Sequence, residues 1–223
     1  MTDLTGRTVL IAGATSASGL AATRALTSAG ARVVATGRSS AKLVPLAALG
    51  ARVETLDLSI ESAVVELSRR LRSDGLPIDG LLHLVGGWRG GGGLAGQTED
   101  DYRALEISFS ALRHLSRAFD DDLRTSPAGR LAIVSSTAVA RPLAGGANYA
   151  AVKAASEAWT RAVAQGYAKA AREAGEPLRA AAVIFRVKAL AGLEDRLAAA
   201  YSELWGAEAS ELNDSIFDLQ QEG

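Results

Sequence analysis

Ser136, Tyr149 and Lys153 lie 13 and four residues apart, and their types suit one kind of chemistry: proton transfer at a carbonyl or alcohol oxygen. A free phenol titrates near ~10, so alone it is a poor acid or base at neutral pH. A cation beside it favours the phenolate and brings that value toward the working range. Residues 148–153, Asn-Tyr-Ala-Ala-Val-Lys, open an alanine-rich stretch of helical character. At i and i+4 the phenol and the ammonium then share one helical face. Residues 131–136, Leu-Ala-Ile-Val-Ser-Ser, read as a buried strand ending in two serines. A Ser136 hydroxyl at that strand end can hold a substrate oxygen while Tyr149 gives or takes its proton.

These side chains need a scaffold, and the chain supplies one by alternating short apolar runs with helical stretches. That pattern predicts βαβ units and a doubly wound, Rossmann-like parallel sheet of about seven strands in a single α/β domain spanning 1–223. Strands are expected at 8–12, 32–36, 52–56, 80–85, 130–135, 178–185 and 215–219. Helices are expected from Gly19 to about Gly30, a C′ glycine, and over 61–72, 100–123, 148–171 and 193–205. In 100–123, Leu105, Phe109, Leu112 and Leu115 recur at near-helical spacing.

Composition excludes several alternatives. The net charge is −1 with the basic residues dispersed, so no polyanion or nucleic-acid footprint is expected. There is no cysteine, hence neither a disulfide framework nor a thiolate metal site. His83 and His114 stand 31 residues apart, and no metal is expected on them. With no apolar leader and no run of ~18 apolar residues, a cytoplasmic, non-membrane protein is expected.

The turn Gly13-Ala-Thr15-Ser16-Ala17-Ser18-Gly19 falls between the first strand and the first helix, where a dinucleotide pyrophosphate would meet backbone N–H groups and the positive helix end. A plain βα loop is the other reading of such a turn.

On these residues the whole chain resembles the short-chain dehydrogenase/reductase family. The family's Gly-x-x-x-Gly-x-Gly turn matches Gly13, Ala17 and Gly19, with alanine for the middle glycine. Its aspartate beside the adenine corresponds to Asp57, followed by Leu58, and its Asn-Asn-Ala-Gly segment to Leu84-Val85-Gly86-Gly87. Its Ser, Tyr and Lys correspond to Ser136, Tyr149 and Lys153. The resemblance implies that Lys153 also holds the nicotinamide ribose and that the substrate is a small carbonyl or alcohol. It further implies a homodimer or homotetramer through the tyrosine helix and the helix before it, which carry Phe109, Leu112, Ala155, Ala158 and Trp159.

The second strand ends in Thr36-Gly-Arg38-Ser-Ser40 with no carboxylate, where an acid would select NAD. A guanidinium with adjacent hydroxyls suits a 2′-phosphate, so NADP(H) is expected over NAD(H). A solvated loop arginine is the alternative.

The chain departs from the family at four places. Ser108 stands where the family has its relay asparagine. Phe185-Arg186 replaces Pro-Gly after the sixth strand, Ala17 replaces a glycine, and the substrate lid shrinks to about seven residues before Leu193. Substrate contacts are therefore expected from Trp88 and the Gly90–Gly93 run, from Ser136, from Arg141 and from Arg186, the last on an acidic substrate, on cofactor phosphate or at the surface. The segment Val85-Gly-Gly-Trp88 is similar to one in dihydropteridine reductase, which adds a pteridine- or quinone-type reductase as an alternative. A nucleotide-binding regulatory or structural relative with little turnover is the other.

Overall fold

In the computed structural model, residues 2–220 are described, and they form one sheet covered by helices on both faces. The strands are β1 (Thr8–Ala12), β2 (Arg32–Gly37), β3 (Arg52–Thr55), β4 (Gly80–His83), β5 (Gly129–Ser136), β6 (Ala180–Val187) and β7 (Ile216–Asp218). Their order is β3-β2-β1-β4-β5-β6-β7, and every pairing is parallel. The helices are α1 (Ala17–Ser28), α2 (Ser40–Ala48), α3 (Glu61–Ser73), α4 (Glu99–Ala118), α5 (Asp120–Thr125), α6 (Ala147–Ala174), α7 (Glu194–Glu203) and α8 (Ala209–Leu212).

All five residues of β1 are buried, as a central parallel strand requires. One apolar layer, with Leu26, Leu43, Leu197 and Tyr201, lies under α1, α2 and α7. The other, with Leu67, Leu112, Phe119 and Tyr167, lies under α3, α4 and α6. Chain order reverses where β1 meets β4, with Ala12 opposite His83 and His83 opposite Ile133. The carboxyl ends of β1, β4 and β5 therefore emerge together at the switch point, where such sheets bind ligands.

Differences from the expected elements have local causes. α2 was not foreseen: Pro45 lies inside it and removes one helical hydrogen bond, while buried Leu43 and Leu46 hold the helix on the sheet. The long helix expected at 100–123 breaks at Phe119, whose side chain is fully buried. β6 begins and ends two residues later than expected, so Arg186 belongs to the strand rather than to the loop after it. Gly30, at φ 90°, closes α1 as expected. No described helix is long and apolar enough to cross a membrane.

Candidate active site

β5 delivers Ser136 to the rim of a cleft of about 1160 Å³, and the first turns of α6 deliver Tyr149 and Lys153 to the same cleft. The Ser136 hydroxyl caps the next short turn by accepting from the Ala138 N–H at 3.1 Å. The Lys153 ammonium lies 5.8 Å from the Tyr149 ring centre and donates to the Val134 carbonyl at 2.7 Å. Burial lowers the Lys153 pKa to about 8, opposed by the charge of Glu157.

One expectation needs correction here. The Tyr149 phenol is raised above its ordinary value by burial, with the Ser136 hydroxyl drawing it back, and Lys153 does not lower it. The ammonium turns to a backbone carbonyl instead of the phenol oxygen. The Tyr149 phenol is therefore neutral at pH 7.

One turn further along α6, buried Glu157 completes a stripe of Tyr149, Lys153 and Glu157 at four-residue spacing. It accepts from Ser135 Oγ at 2.6 Å and from the Arg186 guanidinium at 2.9 and 2.5 Å. Burial pushes the Glu157 carboxyl up, but Arg186 and Ser135 hold it below the usual carboxylate range. Arg186 is thus committed to Glu157 and does not line the cleft, which corrects the expectation of a substrate contact.

Ser108 is buried in α4 and gives its hydroxyl to the Leu105 carbonyl at 2.7 Å, so that hydroxyl donates within its own helix and not into the cleft. Beside its backbone lies His83, which does line the cleft. Burial, reinforced by the Lys153 charge, lowers its pKa to about 3, so His83 is neutral. Its Nδ1 has no hydrogen-bond partner among the described residues. His114 is elsewhere, with Nδ1 3.1 Å from the Leu58 carbonyl oxygen.

The other expected residues gather at the cofactor end. A second hollow of about 230 Å³ is lined by Gly13, Thr15, Arg38, Asp57, Leu58 and Val85. Ser16 and Gly86 line both spaces and so join them. Gly13 has φ 77°, and a Cβ there would sit 2.9 Å from the Val85 nitrogen. A Cβ on Gly19 would lie 2.2 Å from the Ala14 carbonyl oxygen. Ser16 caps α1 by accepting from the Gly19 N–H at 3.1 Å. Ser18 and Gly87 line the main cleft, whereas Ala17 is exposed at the head of α1 and lines neither space. Asp57 accepts from Ser59, which with the nearby Arg38 charge holds its carboxyl low. Ile107 and Ala111 of α4 complete the hollow, a contribution that only the packing of α4 reveals.

Trp88, 65 % exposed, and Arg141 both line the cleft. The segment between β6 and α7 is short, with Lys188 to Ala191 along the rim. Phe109 and Trp159 pack edge to face within the chain, centres 6.2 Å apart, and Leu112 is buried. Much of the apolar surface expected between subunits is therefore used internally.

A glycine turn at the switch point of a doubly wound parallel sheet, with two joined hollows beside it, defines a nucleotide-binding α/β protein of the Rossmann kind. The family model for short chain dehydrogenase matches residues 7–171, and the chain belongs to that family. No curated protein matches it in sequence. Solved structures agree on the fold. A short chain dehydrogenase structure from Shigella flexneri 2a, complexed with NADP, is 22 % identical with TM-score 0.86, over 99 % of this chain and 100 % of that one. One from Escherichia coli CFT073, complexed with NADPH, is 23 % identical with TM-score 0.85, over 98 % and 99 %. One from Pseudomonas syringae is 23 % identical with TM-score 0.84, over 98 % and 96 %.

Proposed function

We propose that this chain is an NADP(H)-dependent oxidoreductase that interconverts a carbonyl and an alcohol. The observation that carries this reading is the convergence of Ser136, Tyr149 and Lys153 on one cleft that joins the Arg38–Asp57 hollow through Ser16. Gly13 to Gly19 suits a pyrophosphate, and Arg38 a 2′-phosphate. The NADP and NADPH complexes among the structural neighbours support the same choice. When bound, the dinucleotide supplies or accepts the hydride. In the reductive direction Ser136 orients the carbonyl oxygen and Tyr149 gives it the phenolic proton. The tyrosinate then regains a proton from solvent. Lys153 stands beside Tyr149 with its ammonium held on the Val134 carbonyl, and from there it meets the ribose.

A panel of ketones, quinones and pterins, followed by NADPH oxidation, tests the reading. It requires turnover of at least one compound, dependent on Tyr149. A binding protein with little turnover is the second reading, favoured by the Ser108 hydroxyl being turned onto Leu105. The reading includes a homodimer or homotetramer through α4 and α6, supported by Ala158 exposed on α6 and by what Phe109 and Trp159 leave uncovered of each other. A monomer mass by light scattering at micromolar concentration contradicts that assembly.

A further inference from the structure

Gln97, just before the cap of α4, touches three segments at once. Its side-chain NH₂ lies 3.1 Å from the Gly91 carbonyl, 3.2 Å from that of Gly93 and 3.0 Å from that of Gly145. Its carbonyl accepts from the Asn148 N–H at 3.1 Å, one residue before Tyr149. Two neighbouring bonds close the same seam: the Gly91 N–H to the Gly145 carbonyl at 2.7 Å, and Asn148 Nδ2 to the Thr98 carbonyl at 3.2 Å. Gly91, Gly92 and Gly93 all have positive φ, so the loop needs glycine to take this path. A Cβ on Gly90 would meet the Gly145 oxygen at 2.3 Å and the Trp88 ring at 3.0 Å. The indole therefore rests on a loop that Gln97 fastens to the start of the tyrosine helix.

We propose that Gln97 is a positioning residue that fixes Trp88 relative to Tyr149, and that the slot so defined selects flat aromatic or quinoid carbonyl compounds over flexible aliphatic ones. This rests on the reductase reading above. With little chain between β6 and α7, the fastened glycine loop and the segment between β5 and α6 are the walls that order a substrate. Trp88 and Leu143, 65 % and 78 % exposed, line the cleft with Ala138, Ala140 and Leu190, all apolar. An indole shelf stacks flat rings best, and such stacking favours them about two- to tenfold over a chain of equal area.

The test uses the full chain with NADPH and two probes: phenanthrenequinone and an aliphatic methyl ketone of matched size. The unmodified protein should favour the quinone in kcat/KM. Trp88→Ala should raise KM for the quinone with kcat nearly unchanged, and Trp88→Phe should restore it. Gln97→Leu should raise KM and lower kcat together, each about tenfold, because it loosens both the shelf and the helix start. Gln97→Glu keeps an acceptor for Asn148 but faces three carbonyls without donors, and should behave like the leucine variant. Exchange of the Gly91 amide should quicken in both, while NADPH affinity stays within about twofold because the Gly13–Gly19 turn and Arg38 lie elsewhere. A preference for the aliphatic ketone overturns the proposal. So does an unchanged quinone-to-ketone ratio in Gln97→Leu when Gly91 exchange has risen. No turnover of either probe despite NADPH binding sinks the reductase reading itself, and the proposal with it.

Discussion

The Lys153 ammonium donates to the Val134 carbonyl two residues before Ser136, tying the tyrosine helix to the strand that carries the serine. Burial, opposed by the charge of Glu157, sets the titration of that lysine. The lysine pKa is lowered to about 8, whereas in the unfolded chain it keeps its ordinary value of 10.5. Between those values the unfolded chain binds more protons than the folded one, so this group makes stability rise with pH from about 8 toward 10. Denaturant unfolding should therefore show a positive pH slope in that window that Lys153→Met removes. Parallel slopes for the two proteins would contradict the assignment. Above about 10 the buried tyrosines reverse the trend, since Tyr149, Tyr167 and Tyr201 all have raised values and ionise first in the unfolded chain.

Glu157, one turn beyond Lys153 on α6, forms a largely buried ion pair with Arg186. Removing the cation leaves a carboxylate 6 % exposed whose remaining hydrogen-bond donor among the described residues is the Ser135 hydroxyl. Arg186→Met should therefore destabilise the fold by about 3 kcal/mol, the low end for breaking a buried pair, since Arg186 keeps some exposure. Glu157 stays below the usual carboxylate range, so the pair's contribution is present above the unfolded carboxylate pKa and is lost as pH falls through the lower folded value. Unfolding measured at neutral pH and again in acid should show the wild-type advantage shrinking in acid. A constant advantage would mean that the charge is not what matters.

Arg38 should decide the cofactor. Arg38→Ala should weaken NADPH binding by about 10- to 100-fold, the worth of one charge-assisted phosphate contact, and leave NADH within about twofold. Fluorescence titration of both nucleotides reads this directly, and an equal loss for both would assign Arg38 to the adenine instead. An acidic replacement of Gly37 is a poorer probe of the same point. A Cβ there would sit 2.7 Å from the Thr15 methyl, so the change disturbs the turn as well as the charge.

The layout of the candidate site was readable in the sequence wherever backbone geometry forces residue choice. Gly13 and Gly19 leave no room for a Cβ, and Ser136, Tyr149 and Lys153 sit at a strand end and one helical face, both set by spacing alone. What stayed hidden depends on pairing across long separations. Arg186 is 29 residues from Glu157, and only the placement of β6 beside α6 shows that it is not a substrate residue. Gln97 carries no motif, and its role appears once two loops 48 residues apart lie side by side. The depressed lysine and raised phenol follow from burial, which spacing does not encode.

The account stands most directly on Tyr149. Tyr149→Phe removes one hydroxyl and keeps the ring, so NADPH affinity should stay within about twofold. Turnover of the best carbonyl substrate should fall by about 10²–10⁴, the usual worth of a positioned acid. Paired measurement of NADPH binding by fluorescence and of kcat by NADPH oxidation decides it. Turnover within threefold of the unmodified protein, at roughly unchanged NADPH affinity, would mean that Tyr149 is not the proton donor.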